Sequence, residues 1–276
     1  MDRHTKNKVM KGVLWSSAIF TISVLLIIIG FIVVKGAPAI SWEFLTESPL
    51  RSGREGGIFP AIIGTIYLAG IAVLVATPIG VGGALYLTEF SRENTFTKII
   101  RFGADTLNGV PSIIFGLFGF SFLVFYLNFG ISILSGGLTL AFMILPTIFR
   151  TSEEAIRGVP HWDKEGSYAL GATKLQTIWR VVIPQSISGI VTGIILGLGR
   201  AAGETAPIIF TAAILNPVIP DSILQPTMAL PAHLYTLTSE GISMENAFGT
   251  ALVLIVMVLI FNIGVSFIRS KKSIRR

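Results

Sequence analysis

Arg200 and Glu204 stand four positions apart inside an otherwise apolar run, a spacing that puts both on one face of a helix. An ionisable group at the centre of a bilayer costs at least about 2.5 kcal/mol on insertion scales, so such a pair is first read as functional. A guanidinium offers a fixed fork of donors that matches phosphate or carboxylate. Glu204 opposes anion affinity, and a partly self-neutralised site would pass an oxyanion without trapping it, as a conduit must. The competing account is a structural pair that only neutralises itself. With the adjoining Thr205, these residues form the candidate translocation pathway.

Other chemistries find little support. The chain has no cysteine, which excludes disulfides, zinc-thiolate sites, iron-sulfur clusters and thiol nucleophiles. His4 and His161 fall in segments expected on the cytoplasmic side and His233 in a loop on the far side, without the partners of a catalytic set. No catalytic residue and no metal ligand is assigned. No Gly-x-x-x-x-Gly-Lys-Ser/Thr phosphate loop occurs, so the chain is not expected to hydrolyse ATP, and its energy must come from a partner or an ion gradient.

The surrounding elements are apolar. Of 276 residues, 52% are hydrophobic and only 13% charged, far from the roughly 25% charged of soluble domains, which identifies a polytopic membrane protein. Runs of about 20 apolar residues, enough to cross a layer of ~30 Å, predict an all-α bundle of about six helices. The candidate spans are Val13 to Val34, Ile58 to Leu87, Ile113 to Phe129, Ile131 to Ile148, Ile187 to Leu215 and Ala247 to Ile268. Pro78, Gly80, Gly82 and Gly83 suggest that the second bends or ends early. The third and fourth abut at Gly130, which demands a short turn. In the fifth, Gly189, Gly193, Gly197, Ala201 and Thr205 recur every fourth position, a ridge of small residues that lets another helix approach closely in lipid. Arg200 and Glu204 each precede a ridge residue by one position, so one face can pack while its neighbour lines a cavity. Burial of both faces in helix contacts is the alternative.

Charge orients the bundle. Segments 1–12, 88–112, 150–184 and 269–276 hold 17 of the 21 Lys and Arg residues, whereas loop 216–246 holds none, which predicts both termini on the cytoplasmic side of the plasma (inner) membrane. The first apolar run, of about 22 residues, exceeds the 7 to 15 of a signal-peptide core and is expected to remain as an anchor. One permease-like domain is expected: a tail, first span and far-side loop over 1–57, a core over 58–268 and a basic tail over 269–276. The far-side loop Asn216 to Met244 contains Pro217, Pro220, Pro226 and Pro231, which oppose continuous helix.

The cytoplasmic segment 150–184 has internal structure. Residues Asp163 to Leu170 allow a short helix, Gly171 is a natural left-handed terminator, and Thr173 with Gln176 makes a capping box for a second helix that Pro184 should limit. The bend would present Tyr168, Ala169 and Leu170, a docking surface for a soluble partner. A surface-lying amphipathic segment fits the same spacing.

The spacing of Glu165, Gly171 and Pro184 resembles the signature of ABC-importer permeases: Glu-Ala-Ala, three residues, Gly, nine residues, then Ile, any residue, Leu and Pro. Gly166 and Ser167 replace the two alanines, Val181 the isoleucine and Ile183 the leucine. Gly56 to Tyr86, Val181 to Gly189, and Arg200 to Pro207 (RAAGETAP), with Leu230, Pro231 and Tyr235, narrow the resemblance to phosphate-import permeases of the PstA type. That resemblance implies a type I ABC-importer permease fold in which Glu165, Gly166, Ser167, Tyr168, Ala169, Leu170, Gly171 and Ala172 form a coupling helix seated on a separate ATPase. It implies a second, PstC-like permease subunit, two ATPase subunits that hold ATP and Mg, and an extracytoplasmic phosphate-binding protein, with no cofactor on this chain. A permease for another oxyanion such as molybdate or sulfate, and an ion-driven secondary carrier, are the other readings.

Overall fold

The computed structural model describes residues 3–214 and 219–273; Leu215, Pro217 and residues 274–276, assigned above to a span, a loop and the basic tail, lie outside the described residues. Helix α1 (Arg3–Gly36) leads through a 3-10 turn at Ala37–Ala39 into the short α2 (Trp42–Thr46) and a two-stranded antiparallel hairpin, β1 (Pro49–Leu50) and β2 (Glu55–Gly56). Then follow α3 (Phe59–Leu85), α4 (Thr95–Asn108), α5 (Ser112–Gly119), α6 (Ile133–Arg157), α7 (His161–Ala169), α8 (Lys174–Thr177), α9 (Ile183–Gly203), α10 (Ala206–Thr211), α11 (Leu230–Ser239) and α12 (Met244–Ser273). Among the described residues, five stretches are long and apolar enough to cross a membrane: Met10–Ala39, Phe59–Phe90, Ile133–Arg157, Lys174–Gly203 and Met244–Gly264. A sixth arises if Thr95–Asn108 and Ser112–Tyr126, bent by 103°, form one broken span.

Several boundaries differ from the sequence expectation. Helix α3 runs straight through Pro78 and continues as a π turn over Tyr86–Phe90. Away from water a chain gains more by keeping its backbone hydrogen bonds than it loses at one proline, so the expected early end does not occur. Gly80 instead abuts Ile148 and Phe149 of α6. Pro184 likewise does not end the helix before it: a π turn at Ile178–Val182 carries α8 into α9, a local adjustment of the kind that accommodates a proline within a helix. Pro231 stands in the first turn of α11, where its missing N–H leaves no bond broken, so the proline-bearing loop is partly helical.

The core lies between α3, α6 and α9, with Leu68, Leu140, Met143, Ile144 and Ile148 buried among them. A returning segment closes one end. There Ser132, Ile133 and Leu134 donate to the carbonyls of Thr211, Gln225 and Ile223 at 3.0, 2.9 and 2.9 Å, which satisfies the first donors of α6. Leu230 N–H donates to Thr65 Oγ1 at 2.9 Å, tying α11 to α3, and the Met228 carbonyl lies directly against Gly64. A methyl at Gly64 has no room. Helix α1, by contrast, is exposed along its length and meets the body near its end, where Phe31 packs edge-on against Phe248 at 5.6 Å.

Gly64→Ala should therefore destabilise the protein by about 1–3 kcal/mol, the usual range for overpacking, while Gly70→Ala, with open space around it, should not; thermal unfolding in detergent reads both. His233 of α11, only 4% exposed beneath Gly53, has its pKa lowered by burial from 6.5 to about 4. The folded state thus binds fewer protons than the unfolded one between those values. Stability should be complete above pH 6.5 and fall by roughly 3 kcal/mol as pH drops towards 4, a slope that His233→Gln should flatten in melts recorded against pH.

Candidate functional site

The long helix that begins at Lys174 ends at Gly203, and Pro207 stands in the first turn of the helix that follows, where its missing N–H leaves no bond broken. Glu204 is extended (φ −80°, ψ 139°), Thr205 follows at φ −110°, and α10 starts at Ala206. Glu204 and Thr205 therefore stand in a break, not on one continuous helical face as expected from spacing. Arg200, in the last turn of α9, still reaches Glu204 across the break, Nε to Oε1 at 3.7 Å. That is looser than the 2.7–2.9 Å of a charge-assisted hydrogen bond, and both side chains are partly exposed, at 31% and 19%. A weak internal pair leaves donors of the guanidinium free for an anion. Irregular backbone at membrane depth is tolerated where protein buries it or where it lines a water-filled cavity, and broken helices of this kind mark substrate sites in transporters.

The small-residue ridge faces α6. Gly189 meets Ala155, Gly193 meets Thr151, Gly197 meets Ile144 and Ile148, and Ala201 is buried beyond them. Thr205 lies past the helix end and is not part of that contact. Gly199, on another side of α9, faces Asn262 Oδ1 of α12.

The candidate coupling segment lies at the other end of α9, whose start at Ile183 is about 25 Å along the helix from Arg200. Helix α7 ends at Leu170, and Gly171 takes the left-handed conformation (φ +80°), donating to the Tyr168 carbonyl at 2.9 Å. Ala172 N–H donates to Ser167, and the Thr173–Gln176 capping box opens α8. Ser167 Oγ lies 2.9 Å from Thr177 Oγ1, and Gln185 Nε2 donates to Asp163 Oδ2 at 3.0 Å, so α7 is fixed to the base of α9. Glu165 pairs with His161 at 3.0 Å on the exposed side, Gly166 faces open space, and Ala169 is exposed. Leu170 is 91% exposed, and Trp162, Tyr168, Leu175 and Trp179 are also exposed. Large apolar and aromatic groups concentrated on a polar segment mark a protein interface. The two tryptophans were not singled out from the sequence, although their placement in a charged segment was visible there.

A second feature missed from the sequence is ionic. Glu153 of α6, 1% exposed, accepts from Arg101 Nε of α4 at 2.6 Å and Arg150 Nη1 at 2.9 Å, with Arg157 Nη2 at 3.4 Å. Arg150 also reaches Asp105 at 2.7 Å, and Glu93 bridges Arg101 and Arg157 at 3.4 and 3.5 Å. The 150, 153 and 157 spacing was legible as helix pairs, but Arg101 comes from a different element.

The chain is similar to known proteins in both sequence and fold. The family model for the binding-protein-dependent transport system inner membrane component matches residues 76–270. The Bacillus subtilis probable ABC transporter permease protein YqgI is 32% identical over 96% of this chain and 95% of its own. The phosphate transport system permease protein PstA of Haemophilus influenzae is 34% identical over 95% and 93%, and the probable PstA of Methanocaldococcus jannaschii is 36% identical over 93% and 91%. Among solved structures, the MetNI methionine ABC transporter in an inward-facing conformation superposes with a TM-score of 0.64 at 16% identity, over 77% of this chain and 94% of that one. A bacterial alginate ABC transporter superposes with a TM-score of 0.68 at 14% identity, over 95% and 93%. At those identities the structures speak for the fold alone.

Removing Glu153 would leave three arginines without their buried partner, and breaking a buried ion pair costs about 3–5 kcal/mol. Glu153→Ala should lower the thermal midpoint sharply, whereas Glu93→Gln, at an exposed carboxylate, should change stability by less than about 1 kcal/mol.

Proposed function

Because the chain belongs to the family of binding-protein-dependent transport system inner membrane components, we propose that it is the permease subunit of an ATP-driven phosphate importer. It forms half of the translocation pathway and works with a second, PstC-like permease. Two separate ATPase subunits hold ATP and Mg, and an extracytoplasmic phosphate-binding protein delivers the substrate. Both termini face the cytoplasm, on the side of the coupling segment, and the chain itself performs no catalysis.

The observation that carries the permease reading is the exposed elbow of α7, Gly171 and α8, with Leu170 at its tip, at the base of the same helix that breaks beside Arg200 and Glu204. A push on the elbow acts directly on the helix that presents the charged pair. Phosphate is the preferred cargo because relatives named as phosphate permeases share 31–36% identity over most of the chain. The guanidinium of Arg200 suits a tetrahedral oxyanion, and by that chemistry alone molybdate or sulfate would also fit.

Reconstitution with the partner permease, the ATPase and the binding protein should give ATP-dependent uptake of radiolabelled phosphate that sulfate and molybdate do not match. Arg200→Ala should cut that uptake about tenfold or more, the equivalent of one charge-assisted hydrogen bond, and Glu204→Gln should alter it with assembly intact. Normal uptake in both variants would remove these residues from the pathway, and uptake without the ATPase would favour an ion-driven carrier.

A further inference from the structure

Helix α7 is continuous with α9 through the chain, but it is also fastened to an element 75 positions away. Lys164 Nζ contacts Glu89 Oε1 at 2.5 Å, with the two side chains only 14% and 7% exposed. Glu89 belongs to the π turn that ends α3, in which Ser91 N–H donates to the Tyr86 carbonyl at 3.0 Å. The widened turn shifts the residues beyond it out of the α-helical register, and single π turns recur at functional positions. Lys174 of α8 lies over the Phe90 ring of the same turn, 4.9 Å from its centroid. Around this contact the elements do not close on one another. A cleft of about 430 Å³ separates Lys164 and His161 from Thr88 and Ser91, and the Thr88 hydroxyl is buried without a partner. Helix α7 has no fully buried residue, and the ion pair bridges it to the end of α3 beside the cleft.

We infer that the Glu89–Lys164 pair is a positioning link that makes α3 move with α7. It rests on the proposed function, since it assigns the route by which motion of the coupling segment enters the bundle. Helix α3 packs on both α6 and α9, and α9 ends at Arg200, so a pull on Glu89 reaches the helix break by a path separate from the α8–α9 connection. Neither residue touches substrate. Without the pair, α7 still docks on its partner and still moves α9, while α3 is drawn only through its packing on α9 and α6, and hydrolysis runs with little transport.

The test uses the assembled complex in proteoliposomes and reads phosphate transported per ATP hydrolysed. Glu89→Gln and Lys164→Met should each lower that ratio about tenfold or more with the ATPase still co-purifying, and Glu89→Lys combined with Lys164→Glu should recover most of it. Because the chain has no cysteine, Glu89→Cys with Lys164→Cys can be bridged by a short bifunctional thiol reagent, which should restore coupling that the unbridged variant lacks. A wild-type ratio in both single variants overturns the inference, as does a bridged variant that stays uncoupled. If the wild-type complex takes up no phosphate, the functional reading falls on its own, and hydrogen exchange of the chain alone still decides the link. Exchange over residues 161–171 should quicken in Glu89→Gln if the pair anchors α7, and unchanged exchange overturns it.

Discussion

Within a bilayer each backbone N–H and C=O must find a partner in the chain itself. That requirement carries α3 through Pro78 and joins α8 to α9 across a π turn. It also brings residues 223–225 back to receive the first donors of α6. Against this background the interruption at Gly203 stands apart. There the chain gives up helical pairing beside a loosely paired arginine and glutamate, and Pro207 stands in the first turn of the helix beyond.

The remaining architecture follows from how closely helices approach one another. In lipid, apolar area gives little drive for association, so packing depends on small residues that let backbones meet. Gly189, Gly193 and Gly197 bring α9 onto α6, and Gly80 brings α3 onto the same helix. This core joins the elbow at one end to the helix break at the other. The most buried ion pairs lie at the elbow end, where Glu153 gathers three arginines and Glu89 holds Lys164. These ion pairs add polar ties between elements, α4 to α6 and α7 to the end of α3.

Much of this was legible in the residues. Apolar length identified a membrane bundle, because the thickness of hydrocarbon fixes how many residues a crossing needs. Gly171 and the Thr173–Gln176 box marked the elbow, since left-handed φ and capping are local properties of a few neighbouring residues. The spacing of Arg200 and Glu204 placed them on one helical face, whereas they meet at 3.7 Å across a helix break. Where proline was read as a stop, the sequence reading also failed, at Pro78, Pro184 and Pro231. A proline fits the first turn of a helix, as Pro231 does, and is carried inside a longer one where the surrounding backbone bonds outweigh the one it loses, as at Pro78 and Pro184.

The sequence by itself determined the class of fold, the number of apolar crossings to within the bent pair, and the local turns. Only the tertiary structure decided that α9 ends between the two members of the charged pair and that its ridge meets α6. It alone joined Arg101 to Glu153 and Lys164 to Glu89, partners 52 and 75 positions apart. The physical reason is separation along the chain: periodicity and capping report on a few consecutive residues, whereas a buried ion pair depends on where two distant helix ends come to rest.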